Sequence, residues 1–150
     1  MENITTAQLH DLPAILALQK LAYQSEAELL DDFSIPPLHQ TLTDTTEDFN
    51  NGTILKAVDN NEIIGSVRVH IINDTMFIGK LIVTPSRQNQ GIGKALLFAA
   101  ENLYPSKRFE LFTSSKSSKN LLLYTKCGYI EFKREPLNKA AEIIFLEKMN

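Results

Sequence analysis

The chain has one cysteine in 150 residues. A single thiol closes no internal disulfide, and such usage suits a reducing compartment. No apolar run approaches the ~20 residues that a helical membrane span requires. Met1-Glu2-Asn3 shows no basic segment leading into an apolar one, so no secretory leader is expected and a cytoplasmic location is. There is no repeat, no low-complexity tract and no cluster with metal-ligand spacing, so no metal is expected. The 15 Lys and Arg are neither clustered nor interleaved with aromatics, and the sequence pI is 5.6. Both facts argue against a nucleic-acid partner.

What is present is an ordinary globular composition, 43% hydrophobic and 22% charged, at a length that fits one domain, 1–150. The net charge of −3 is unevenly spread. Residues 1–62 carry 11 Asp and Glu against Lys20 and Lys56, a balance of −9, whereas residues 63–150 carry 7 acids and 13 bases, a balance of +6. A basic half favours a phosphorylated ligand, and an acidic half favours a cationic one. The alternative is scattered surface charge screened beyond about 10 Å at physiological salt.

Gln88-Asn89-Gln90-Gly91-Ile92-Gly93-Lys94 lies between the apolar run Leu81-Ile82-Val83 and an apolar-periodic helix that begins near Ile92. A helix N-terminus offers N–H groups without intrahelical partners and partial positive charge. Two glycines let a ligand approach the main chain closely. Together these suit a phosphate or pyrophosphate. A P-loop is excluded, because Gln88 and Ala95 stand where Gly and Ser or Thr are needed. A dinucleotide fingerprint is excluded, because Leu96 replaces its third Gly. A turn built only for tight strand–helix packing is the competing explanation.

The periodicity gives strands near Ile4–Thr6, Thr53–Val58, Ile63–Ile72, Met76–Val83, Arg108–Thr113, Tyr129–Arg134 and Ile143–Lys148. The last two are expected to pair antiparallel. Helices are expected from about Gln8–Asp11 to Leu30, from Asp44 to Asn51, from Ile92 to Leu103 and over Ser117–Lys126. Asp31–Thr43, with Pro36-Pro37, reads as loop. In Ile63–Ile72, Val67, Val69 and Ile71 face one way, and Ser66, Arg68 and His70 the other. Gly79 inside an otherwise apolar strand suggests a bulge or close backbone approach.

Gln-x-x-Gly-x-Gly on a strand-to-helix turn resembles the pyrophosphate loop of the GCN5-related N-acetyltransferases (GNAT), which bind acetyl-coenzyme A. Tyr124, Gly128 and Tyr129 resemble that family's second motif, about 30 residues further on. The resemblance covers roughly Ile63 to Phe132 and looks most like small bacterial members. It implies an α/β fold in the order βααβββαβαββ, a mixed and mostly antiparallel sheet whose central strands splay around the coenzyme, with helices on both faces.

The same resemblance implies site residues. The main chain of Leu81, Ile82 and Val83 would present a strand edge to the pantetheine amides, with an N–H of Val83 or Ile82 as oxyanion donor. The segment Gln88, Asn89, Gln90, Gly91, Ile92, Gly93 and Lys94 would hold the pyrophosphate. Ser117 or Asn120 would touch the coenzyme, and Lys116, Lys119 or Lys126 its 3′-phosphate. Tyr124 would be the general acid: a phenol with a pKa of about 10 stays protonated at neutral pH and can protonate a thiolate of pKa about 8.5. A merely satisfied core tyrosine is the alternative. Glu110 is the nearest equivalent of the family's general base, although Phe112 competes for its register. Glu26, Glu28 and His39, with Asp31, lie where the acceptor pocket is usually shaped. Cys127 lacks a His partner in sequence and reads as a small buried apolar group rather than a nucleophile. The expected reaction is direct attack of a primary amine, from a small molecule or peptide, on acetyl-coenzyme A in a ternary complex. The acidic N-terminal part tilts the acceptor towards a small cation. A sensor that binds acetyl-coenzyme A without turnover is the alternative. A homodimer through the terminal strands is possible but not compelled.

Overall fold

The computed structural model describes residues 3–150. Seven strands form one sheet: β1 (Asn3–Thr6), β2 (Thr53–Asp59), β3 (Glu62–Ile72), β4 (Thr75–Val83), β5 (Arg108–Ser114), β6 (Ile130–Pro136) and β7 (Glu142–Met149). Their spatial order is β1-β2-β3-β4-β5-β7-β6. Every neighbouring pair is antiparallel except β4–β5. The helices are α1 (Leu12–Leu30), α2 (Pro36–His39), α3 (Leu42–Asn51), α4 (Ile92–Glu101) and α5 (Ser118–Lys126). Helices α4 and α5 pack with Leu55, Val67, Met76, Phe109 and Leu111 into the main core. Helices α1 and α3 contribute to a smaller core around Ile15 and Ile54.

Two tight hairpins set the first half of the sheet. Asn60 and Asn61 (φ 51° and 63°) join β2 to β3, and Asn73 and Asp74 (φ 49° and 66°) join β3 to β4. Asn and Asp tolerate the left-handed region, and two such residues give turns whose twist matches the flanking strands.

Three local expectations change. The segment expected as loop contains the one-turn helix α2, because Pro36 and Pro37 occupy first-turn positions where their fixed φ suits a helix. Helix α3 begins earlier than Asp44. Thr41 is its N-cap, its hydroxyl accepts from Asp44 N, and the Asp44 carboxylate accepts from Thr41 N at 2.8 Å. The reciprocal pair is a Thr-x-x-Asp capping box. Strand β3 does not alternate between core and solvent, since Ser66 and Arg68 are as buried as Val67 and Val69. Helix α1 packs against β3 as well as α4 does, so both faces of this stretch are covered.

Arg68 is a charge inside the fold and is fully engaged. Its Nη1 donates to Asp48 Oδ2 at 2.7 Å and its Nη2 to Gln19 Oε1 at 2.7 Å. Lys80 Nζ reaches the same Asp48 oxygen at 3.1 Å. Burial pushes the Asp48 carboxyl up, but Arg68 and Lys80 outweigh it and hold the group below the usual carboxylate range. Lys80 stands in the left-handed region at φ 47°, a conformation that costs a lysine about 1–2 kcal/mol. Here the pairing of β3 with β4 slips: Ser66 faces Ile82, yet Arg68 faces Gly79. Strand β4 therefore carries an extra residue. The bulge expected near Gly79 exists, but its unusual dihedral falls on Lys80, and a Cβ on Gly79 would meet nothing within 4 Å.

The bulge matters for what lies beyond it. Strands β4 and β5 pair only over Thr75–Phe77 and Arg108–Glu110. From there they diverge, and the β5-facing edge of β4 from Gly79 to Val83 has no strand partner.

Candidate active site

A cleft of about 770 Å³ fills that divergence. One wall is main chain. Leu81, Ile82 and Val83 line it with the loop that follows β4 and with the start of α4. In the loop, Asn89 (φ 63°) and Gly91 (φ 82°) are both left-handed. No side chain caps α4, and the first amide bonded inside the helix is Ala95 N, to Gly91 O at 3.0 Å. The amides of Ile92, Gly93 and Lys94 precede that bond at the positive end of the helix dipole. Successive amides around left-handed residues make a concave anion seat.

The two glycines have different reasons to be there. Gly91 needs its φ. Gly93 does not: a Cβ there would meet Leu123 Cδ2 at 3.7 Å and Val83 Cγ2 at 3.9 Å, both ordinary contacts. Packing therefore does not demand glycine at 93, and the bare main chain there leaves the first turn of α4 open to close approach. Arg87, Lys94, Lys116 and Lys119 line the same cleft, so its mouth is cationic. A diphosphate-bearing ligand fits these groups.

The other wall is made of side chains. Tyr23, Glu26 and Glu28 come from the C-terminal half of α1, and Ser117 and Asn120 from the start of α5. Helices from opposite faces of the sheet meet here because the strands between them have parted. Ser117 Oγ lies 2.6 Å from Glu26 Oε1. Asn120 Nδ2 donates to Thr113 Oγ1 at 3.3 Å. Tyr124, named from the sequence as the acid, is buried and does not itself line the cleft. Burial, then Tyr23 and Glu26, push its hydroxyl above the ordinary tyrosine value, so it keeps its proton. Burial and Glu26 likewise push Tyr23 up to about 12, with Arg68 opposing.

Most residues named from the sequence converge: Leu81, Ile82, Val83, Gln88, Asn89, Gly91, Ile92, Gly93, Lys94, Ser117, Asn120, Glu26 and Glu28 all line the cleft. Gln88 also ties the loop to β4 by donating from Nε2 to Val83 O at 3.2 Å. The others stand elsewhere. Gln90 turns away and accepts from Arg87 Nε at 3.1 Å. Lys126 lines a separate depression between α4 and α5, beside Cys127. His39 Nε2 is bonded to Phe33 O at 2.7 Å. Glu110 lies opposite Phe77, where β4 and β5 are still paired, and accepts from Arg108 Nη1 at 2.8 Å. Its carboxylate is thus spent below the divergence. Sequence reasoning missed Arg87 and Tyr23. Arg87 was readable as a base next to the Gly loop. Tyr23 carried no signal beyond its helical spacing.

Residues 14–129 match the acetyltransferase (GNAT) family. Among curated proteins, UPF0157 protein YqkA of Bacillus subtilis (strain 168) is 28% identical over 133 residues, 88% of this chain. That match covers 37% of YqkA, so the chain spans little more than a third of the length of the curated relative it matches. Among solved structures, the ribosomal-protein-S18-alanine N-acetyltransferase of Escherichia coli superposes with a TM-score of 0.80 at 16% identity, over 99% of this chain and 94% of that one. The PaiA N-acetyltransferase of Thermoplasma acidophilum, solved in complex with coenzyme A, gives 0.73 at 19% identity, over 100% and 99%. A family match across most of the length, on a splayed sheet with an uncapped, glycine-bearing helix start, identifies this chain as a member of the acetyltransferase (GNAT) family.

Proposed function

We propose that the chain transfers acetyl from acetyl-coenzyme A to a primary amine by direct attack in a ternary complex, and that the acceptor is a small cation. The observation that carries this reading is the polarity of the cleft: Arg87, Lys94, Lys116 and Lys119 line it together with Glu26 and Glu28. A polyanionic donor and a cationic acceptor suit such a surface, because each is drawn to charge of the opposite sign.

Bound there, the coenzyme supplies an acetyl group activated as a thioester. The chain's residues do the rest. Amides from Gly91 to Lys94 hold the pyrophosphate. The unpaired edge of β4 at Leu81–Val83 aligns the pantetheine arm, and an N–H of Ile82 or Val83 receives the developing oxyanion charge. Tyr124, held protonated, donates to the departing sulfur. Asn120 steadies the arm from the α5 side. Positioning of this kind reaches effective molarities of roughly 10⁵ M or more.

Thiol release from acetyl-coenzyme A in the presence of a panel of amines tests the proposal. Polyamines, amino acids, aminoglycosides and short peptides belong in the panel. Free coenzyme A is expected with at least one small cationic amine. Tight binding of acetyl-coenzyme A with no release for any amine would support a sensor instead.

A further inference from the structure

Several partly or fully buried carboxylates hold a cation directly. Asp11 holds Lys56 at 2.7 Å, Asp48 holds Arg68, Glu101 holds Lys148 at 3.1 Å and Glu110 holds Arg108 at 2.8 Å. Glu26 is half-buried on the cleft wall, and among the described residues its one hydrogen-bonding partner is a neutral hydroxyl. That hydroxyl belongs to Ser117, the N-cap residue of α5. A serine there ordinarily accepts from an amide in the first turn of its own helix, which stabilises the helix by about 1 kcal/mol. Ser117 makes no such bond. It is buried, and it gives its proton to Glu26, at 2.6 Å from one oxygen and 2.5 Å from the other. A local preference is set aside to fix a carboxylate 91 residues away. Departures of this kind mark functional sites.

We infer that Glu26 is the general base that takes a proton from the acceptor ammonium, and that Ser117 is the residue that positions it. The inference rests on the amine reading above. A carboxylate lacking a cation is a seat for one, and the arriving ammonium supplies it. Glu26 accepts one N–H proton, which leaves a neutral amine with a free electron pair. As the C–N bond forms and the C–S bond breaks, Tyr124 gives its proton to the sulfur. The second proton leaving nitrogen restores Tyr124. Glu26 then returns its proton to water through the open cleft.

The test compares Glu26→Gln with the wild type on two acceptors: the most active amine of the panel, and an electron-poor analogue that the wild type also acetylates and that is already neutral at the assay pH. The isosteric amide still accepts from Ser117. Expected are an unchanged Kd for acetyl-coenzyme A, a loss in kcat of about 100-fold or more with the basic amine, and a much smaller loss with the neutral one. Ser117→Ala is expected to lower kcat about tenfold with little change in KM, and Ser117→Thr to restore it. Equal losses on both amines, or no loss on either, overturn the inference while leaving the acetyltransferase reading intact. Failure of the wild type to release coenzyme A with any amine overturns both.

Discussion

The two walls of the cleft are built from different material. The wall proposed for the coenzyme is main chain: an unpaired strand edge at Leu81–Val83, two left-handed residues at Asn89 and Gly91, and an uncapped helix start. The wall proposed for the acceptor is side chain: Tyr23, Glu26 and Glu28 from α1 against Ser117 and Asn120 from α5. Main-chain sites recognise what all substrates of a fold share. Side-chain sites select the part that differs. The main-chain wall therefore depends least on side-chain identity, and the side-chain wall most.

That division can be broken or sharpened by mutation. The largest effect is expected at Tyr124→Phe. Removing one hydroxyl proton should lower kcat by about 100-fold, while the Kd for acetyl-coenzyme A measured by calorimetry stays within about twofold, since the tyrosine does not itself line the cleft. An unchanged kcat would return Tyr124 to the core as packing.

Next comes Asp48, which lies outside both walls: it is on α3 but holds Lys80 at the bulge that precedes the open edge of β4. Asp48→Ala leaves the buried Arg68 with Gln19 as its remaining partner. Breaking a buried pair costs about 3–5 kcal/mol. The Asp48 side chain is 41% exposed, so screening reduces this to about 2 kcal/mol. A fall in Tm of about 4–8 °C is expected, with weaker coenzyme binding as the bulge relaxes. If Tm falls and coenzyme affinity does not, the network stabilises the fold without shaping the cleft.

The same pair predicts a pH effect. The Asp48 carboxyl is held below its ordinary value of 3.8 in the folded protein. Its contribution to stability is thus complete above that value and is lost as pH falls through the lower, folded one. Thermal melts should show the wild type losing its advantage over Asp48→Asn below about pH 4. A constant gap between the two across that range would contradict the assignment.

The smallest effect belongs to Glu131 on β6, an edge strand exposed throughout. It pairs with Arg134 at 2.7 Å in open solvent. Glu131→Gln is expected to leave both Tm and kcat within error, because such pairs contribute little.

What was legible in the sequence follows the same division. The order of the strands and the coenzyme loop could be read, because hydrophobic period, hairpin asparagines and glycine spacing are local signals. The bulge could be anticipated from Gly79, but not its location on Lys80, since a lysine gives no sign that it will adopt φ 47°. The burial of Ser66 and Arg68 was illegible, because alternation in one strand does not reveal a helix packed from the other side. Glu26 could be named but not given a partner. Its bond to Ser117 joins residues 91 apart, and nothing local in either helix announces it. Glu110 was the nearest equivalent of a base, with Phe112 competing for its register, and Arg108 two residues away takes its carboxylate.

Calorimetric titration of acetyl-coenzyme A into the wild type and Gly93→Val tests the coenzyme wall most directly. A Cβ at 93 would meet Leu123 and Val83 only at ordinary contact distance, so the variant is expected to fold, which its Tm checks. It should bind the coenzyme about 100-fold more weakly, as expected when a charge-assisted hydrogen bond worth about 1.5–3 kcal/mol is lost. Equal affinity in the two proteins would mean that the amides at the start of α4 do not hold the diphosphate.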